Sequence, residues 1–256
     1  MSLVELERIT WQQAEAIGAD AVGFVAIGAT EQHGPHLPMG TDTEIARALT
    51  RAVGARVAVP LAATPVISCG LSDHHLGFPG TISLSEETVA GVLDAHLAGL
   101  ARMGVRRVAL VSGHGGNFAF LGRYAQRCGE RHPDLAVVAF DDLWAFLEAM
   151  TAAGRAHGLD PVACDSHAGQ LETSVALAIY GEQGVRPFDD VEGYTASEPD
   201  WAERMFREGL RGFAASGVLG RPAGATAAAG RAMIELLAET VADWLVAQLG
   251  VERAAR

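Results

Sequence analysis

Residues 22–29, Val-Gly-Phe-Val-Ala-Ile-Gly-Ala, make an unbroken apolar run that reads as a buried strand. Directly after it comes Glu31-Gln32-His33-Gly34-Pro35-His36-Leu37-Pro38-Met39-Gly40-Thr41-Asp42, and from Asp42 the chain reads as the opening of a helix. The segment is therefore a strand-to-helix loop. In an open α/β sheet, ligands bind at the carboxyl ends of the strands. If the chain stays extended through Glu31 and His33, a carboxylate and an imidazole point the same way. Gly34, Pro35, Pro38 and Gly40 turn the loop and bring Asp42 back towards them. A carboxylate has two oxygens and can bridge two cations. The competing reading is an acidic helix start, capped by Thr41 or Asp42, with the histidines exposed.

A second unit repeats the pattern. Arg107–Val111 is β-branched and apolar enough for a central parallel strand. It runs into Ser112-Gly113-His114-Gly115-Gly116-Asn117 and a helix through Arg131. Glycines there let backbone approach a ligand closely. A phosphate cradle is disfavoured, because all nineteen basic residues are arginine and no GxGxxG is present. The lack of lysine also excludes a pyridoxal Schiff base and a lysine nucleophile. No GxSxG elbow is present.

The third rich stretch is Asp165-Ser166-His167-Ala168-Gly169-Gln170-Leu171-Glu172-Thr173-Ser174. A helix starts near Gly169, with Glu172 in its first turn and His167 just before it. Glu172 there could simply complement the helix dipole; a buried glutamate beside so apolar a helix instead needs a partner such as a cation.

Around these units the sequence predicts a short helix over 5–17 capped at Thr10 and a helix over 43–54 ending at Gly54. It also predicts a strand over 56–60 and a long irregular stretch, 61–81, holding His74 and His75. Further on it predicts a helix from Ser85 to about Met103, a strand over 135–140, a helix over 142–153 and a long amphipathic helix over 226–249. His96 reads as a satisfied core histidine and His157 as exposed. Residues 186–222 read as a surface excursion. At 256 residues and 49% hydrophobic content, the chain suits one α/β domain over 1–256. A net charge of -12 makes nucleic acid and anionic membranes poor partners. The three cysteines, Cys69, Cys128 and Cys164, are far apart and form no CxxC. The start is acidic, without a signal pattern, so the expected compartment is cytoplasmic.

Pooled, Glu31, His33, Asp42, His114 and Glu172 are the candidate ligands. Mixed nitrogen and oxygen donors suit Zn, Mn or Fe(II). Five ligands with one bridging Asp suit two divalent ions, with a bridging hydroxide as nucleophile. His167 would deliver a proton to the leaving nitrogen. His75, Gly115 and Asp165 are candidate substrate contacts, and His36 would hold a ligand carboxylate from behind.

Five motifs, in order, resemble the creatininase family of metal-dependent amidohydrolases: Glu31–Pro38 with Thr41-Asp42-Thr43, Phe78-Pro79-Gly80-Thr81, Gly113-His114-Gly115-Gly116-Asn117, His167-Ala168-Gly169, and Glu172-Thr173-Ser174. Gly217–Gly230 is also similar. The resemblance implies a three-layer α/β/α fold with a mainly parallel sheet, two divalent metals and a ring-like homo-oligomer, often a hexamer. It implies that Glu31, His33, Asp42 and His114 are metal ligands, with Asp42 as the bridge, and that His167 transfers protons. Creatininase carries Tyr-Glu where this chain has Gly115-Gly116, and that Glu is a ligand. Glu172 is the candidate replacement. The Gly-Gly form is more similar to formamide-releasing deformylases and to the peptidase that trims the mycofactocin precursor. The expected substrate is thus a small cyclic or linear amide or a short peptide, rather than creatinine. The alternative is a metal- or ligand-binding protein on this scaffold without turnover; the presence of His167 favours the enzyme.

Overall fold

In a computed structural model, which describes residues 3–196, 198 and 200–255, the centre is a five-stranded sheet. Its strands are β1 (Leu3–Glu5), β2 (Val22–Ile27), β3 (Leu61–Ala63), β4 (Arg107–Ser112) and β5 (Ala136–Ala139). They lie in the order β1-β3-β2-β4-β5, and every pairing is parallel. The helices are α1 (Trp11–Glu15), α2 (Thr41–Gly54), α3 (Glu86–Arg102), α4 (Phe118–Cys128), α5 (Leu143–Ala156), α6 (Gln170–Tyr180), α7 (Trp201–Glu208), α8 (Leu210–Phe213) and α9 (Ala227–Leu249).

The strand alternation divides the core into two layers. Val22, Phe24 and Ala26 of β2, with Ala109 and Val111 of β4, pack against α2, α5, α6 and α9. Val25 and Ile27, with Val108 and Leu110, pack against α3 and α4. With both faces covered, β2 is buried along its whole length, which is why its sequence is continuously apolar rather than alternating. The expected three-layer α/β/α architecture with a parallel sheet is the one found. Among the described residues, no helix is long and apolar enough to cross a membrane.

Three local expectations are corrected. The amino-terminal helix is shorter: Leu3–Glu5 is a strand, a 3-10 turn follows, and only Trp11–Glu15 is α-helical. Its start is the expected one, Thr10 making a capping box with Gln13. The strand predicted over 56–60 lies instead at Leu61–Ala63. The carboxyl-terminal tail takes the earlier residues, pairing Val57 with Arg253 and accepting the Ala58 N–H on Glu252. Third, residues 186–222 are a surface excursion only in part: most of the described residues in 186–216 are exposed or half-buried, but the end of the segment turns inward. Val218 and Leu210 are fully buried, and Leu219 pairs with both His167 and Tyr194. This segment walls one side of the site.

Candidate metal centre

The loop after β2 is closed by its own backbone, Glu31 N–H donating to Met39 at 3.0 Å. Its helical end is pressed onto the sheet. A Cβ on Gly28 would lie 2.5 Å from the Thr43 backbone, and one on Gly113 would collide with the Asp42 carbonyl. Only glycine at both strand ends lets α2 start this close to β2 and β4. That contact sets Asp42, in the first turn of α2 where the helix dipole favours a carboxylate, beside both Glu31 and His114.

The two oxygens of Asp42 face different histidines. Oδ1 is 3.2 Å from His33 Nε2, and Oδ2 is 3.2 Å from His114 Nδ1. Glu31 Oε1 lies 3.3 Å from His114 Nδ1. Glu172 Oε1 lies 3.6 Å from His33 Nε2. Asp42 and Glu172 thus meet at His33, and Asp42 and Glu31 at His114; Glu31, His33 and Asp42, and likewise His33, His167 and Glu172, bring donor atoms close enough to share one ion. Each histidine is turned by a bond from its far nitrogen: His33 Nδ1–H donates to the Glu31 carbonyl at 3.0 Å, and His114 Nε2–H to the Leu71 carbonyl at 3.0 Å. Such bonds fix the tautomer and leave the inner nitrogen free to ligate.

Burial decides what this cluster needs. Glu31 is 0% exposed; its Oε1 and Asp42 Oδ2 face imidazole nitrogens at 3.2–3.3 Å, but neither these atoms nor Glu31 Oε2 makes a well-formed hydrogen bond among the described residues. Uncompensated buried carboxylates cost several kcal/mol each. Burial pushes the His33 and His114 pKa values down, but the Asp42 charge with Glu172 for the first, and the Glu31 and Asp42 charges for the second, outweigh it and hold both well above the usual range. Burial likewise raises Asp42, and the two histidines more than reverse that. The cluster thus seeks positive charge, and its oxygen and imidazole donors fit a divalent metal.

His167 and His75 complete the floor. The His167 ring lies 4.4 Å from that of His33 and 4.5 Å from that of His75. Its Nδ1 is 3.8 Å from both Glu31 and Glu172. His75 Nε2 is 3.2 Å from Glu31 Oε1. Burial lowers the pKa of both rings. His74 stacks on His114 and packs at a tilt against His75 and Phe206. His36 stands behind, 2.9 Å from Thr173 Oγ1, and touches no ligand carboxylate. Above the floor opens a cavity of about 640 Å³, walled by α5, α7 and the 161–167 segment, with Trp144, Phe146, Met150, Trp201, Met205 and Phe206 among its lining residues.

The remaining expected contacts divide. Gly115 lines the cavity. Asp165 lines it too, but its oxygens accept the Gln170 and Leu171 N–H groups, so it holds the start of α6. A Cβ on Gly116 would collide with His114 Nε2 and the Leu71 carbonyl, so the loop as it stands has no room for a glutamate there. A carboxylate from α6, that of Glu172, stands 3.6 Å from His33 Nε2. Sequence reading passed over Gln32, which binds two of the histidines, and Asn117, which ties the Gly28 carbonyl to Ser112 and Leu71. Their position inside the charged motifs was the available signal.

The sequence profile of the creatininase family, creatinine amidohydrolase, matches residues 7–245. The chain belongs to the creatininase family. It is therefore a hydrolase of that family. The chain is 36% identical over 236 residues to the mycofactocin precursor peptide peptidase of Mycobacterium tuberculosis, covering 86% of this chain and 84% of that one. It is 28% identical over 187 residues to the creatinine amidohydrolase of Pseudomonas putida, covering 67% and 70%. Among solved structures, a mutant creatininase of Zn-Zn type superposes with a TM-score of 0.70 at 25% identity, over 96% of this chain and 98% of that one.

Proposed function

We propose that this creatininase-family hydrolase cleaves the amide C–N bond of a linear substrate, such as the end of a short peptide, at a centre of two divalent ions. The observation that carries the reading is Asp42, with one oxygen towards each of two histidine–glutamate sets at the foot of a 640 Å³ cavity. His33, Asp42 and Glu172 would hold one ion, and Glu31, Asp42 and His114 the other. When bound, such ions polarise a carbonyl and lower the pKa of water. The protein's own part is to exclude bulk water with the apolar cavity walls and to move protons. His167 Nδ1, neutral and facing the centre, accepts a proton from the attacking water and returns it to the departing nitrogen. Cleavage consumes one water and yields an acid and an amine.

Size supports a linear substrate over a small cyclic amide. Pockets of 300–1,000 Å³ take drug-sized ligands, and Gly115-Gly116 put no side chain where creatininase has Tyr-Glu. The identity of 36% to a peptide peptidase points the same way. A homo-oligomer, a hexamer by family likeness, and a cytoplasmic setting for the three unpaired cysteines belong to the same reading. Sedimentation velocity reads the first.

The test is to strip the protein, reload it with Zn, Mn or Fe(II), and offer short peptides, formamides and cyclic amides with mass-spectrometric detection. Metal-dependent release of a carboxyl-terminal fragment is expected. Turnover of cyclic amides alone would contradict the linear assignment. No turnover of any amide would overturn the enzyme reading in favour of a binding protein.

A further inference from the structure

Gln32 is buried between two proposed ligands without pointing at either. Its Oε1 accepts the Gly34 N–H at 2.9 Å. Its Nε2 lies 3.0 Å from the Gly217 carbonyl, 3.0 Å from His75 Nδ1 and 2.9 Å from His167 Nε2. Flipping the amide would set an oxygen against the Gly217 carbonyl and an NH2 against the Gly34 N–H, so the orientation is fixed. Gly217, at φ +77°, exists to admit it: a Cβ there would collide with the Gln32 amide.

The amide has two protons and three candidate acceptors. His167 Nε2 also lies 2.8 Å from the Gln32 backbone carbonyl, whose only hydrogen-bond partner among the described residues it is. If His167 Nε2 were bare, that buried carbonyl would be orphaned, and either His75 Nδ1 or the Gly217 carbonyl would lose its donor. If His167 Nε2 carries the proton, every atom is served. Nε2–H donates to the Gln32 carbonyl, and the two amide protons go to Gly217 and His75 Nδ1. Buried polar groups are almost always satisfied, so the second arrangement holds.

We infer that Gln32 is a positioning residue that assigns opposite hydrogen-bonding roles to two histidines at the centre, an acceptor Nδ1 on His167 and a donor Nε2–H on His75. His167 then presents a lone pair towards Glu31 and Glu172, as a base must. His75 presents its proton to Glu31 Oε1, 3.2 Å away, so that nitrogen cannot ligate. Among the described residues, three clusters approach closely enough to share an ion: Glu31, His33 and Asp42; His33, His167 and Glu172; and Glu31, His75 and His167; the proton on His75 closes the last of them.

The catalytic roles rest on the hydrolase reading; the proton positions do not. Neutron diffraction from zinc-loaded crystals exchanged into heavy water reads them without turnover. Deuterium is expected on Nε2 of both rings and on neither Nδ1. Deuterium on Nδ1 of either ring overturns the inference, whatever the protein hydrolyses. In Gln32→Glu the atom facing His75 becomes an acceptor, so His75 should move its proton to Nδ1. With any substrate found, kcat should fall roughly 10–100-fold, with KM little changed. A His75 that keeps its Nε2 proton in this variant would remove Gln32 from control of it. If the deuterium positions hold but no amide is cleaved, the proton assignment stands and the hydrolase reading fails.

Discussion

The centre is assembled from two regions built by different means. The β2–α2 loop, with Glu31, His33 and Asp42, sits on the middle of the sheet. It is clamped by backbone contacts at Gly28 and Gly113 and closed by main-chain hydrogen bonds. The 165–172 stretch, with His167 and Glu172, lies off the sheet. It is held by a side-chain cap from Asp165, by a Glu172 bond to the Ala168 N–H, and by a single bridge from His167 to Leu219. It also carries the one non-glycine residue with positive φ among those described, Ala168 at 53°. In the proposed centre the first region fixes ions, and the second supplies a base and a further ligand.

The sharpest way to break this division is Asp42→Ala. It removes the shared carboxylate, so elemental analysis should show loss of both ions, and activity should drop by more than the roughly 10–100-fold typical of a lost outer partner. One retained ion would mean that the two sets are independent. His167→Asn belongs to the second region. Metal content should stay at the wild-type level while kcat falls about 10²–10⁴-fold, the range of general acid–base groups. Loss of metal instead would make His167 a ligand.

Asp165→Asn probes the cap. Burial raises the Asp165 carboxyl to about 7 against the opposing Gln170 and Leu171 N–H bonds. A carboxyl raised on folding binds more protons in the folded state between about pH 4 and 7, so its contribution to stability falls as pH rises through that window. Asparagine has no such penalty. The melting temperature of the variant relative to wild type should therefore improve between pH 5 and pH 8; an unchanged difference would refute a strained buried charge. Ala168→Gly is the smallest change. Relief of a left-handed alanine, about 1–2 kcal/mol, is offset by the larger unfolded-state entropy of glycine, about 0.4–1 kcal/mol. Thermal stability should rise by no more than about 1.6 kcal/mol, and kcat should fall a few-fold as Glu172 loosens. A larger gain in stability with full activity would show that the strain at Ala168 does nothing for the site.

The first region was also the more legible one. An apolar strand, a loop of Gly and Pro and a helix start are local signals, so Glu31, His33, Asp42 and His114 could be placed together from spacing alone. Off the sheet, His167 and Glu172 could still be named from the 165–174 stretch, but the groups that position them depend on distant contacts that no local pattern encodes. Gln32 matters because residue 217 is glycine. Asp165 sits beside α6 and reads like a substrate contact until its oxygens are seen on the Gln170 and Leu171 N–H groups. The 186–222 segment looks polar in sequence because its apolar residues are scattered, although Leu210, Val218 and Leu219 are buried against the site. In β3, Leu-Ala-Ala lacks the β-branched signal, and neighbouring Val57–Val59 displays it while pairing with the tail.

The central claim is that Asp42 joins two donor sets into a two-ion centre, with Glu172 in place of the carboxylate missing at Gly116. Metal per chain, counted on protein purified without chelator and on Glu172→Gln purified alongside it, tests it most directly. The account predicts two divalent ions in the wild type and one in the variant, with turnover lost. A single ion in both proteins, or two in both with activity intact, would contradict it.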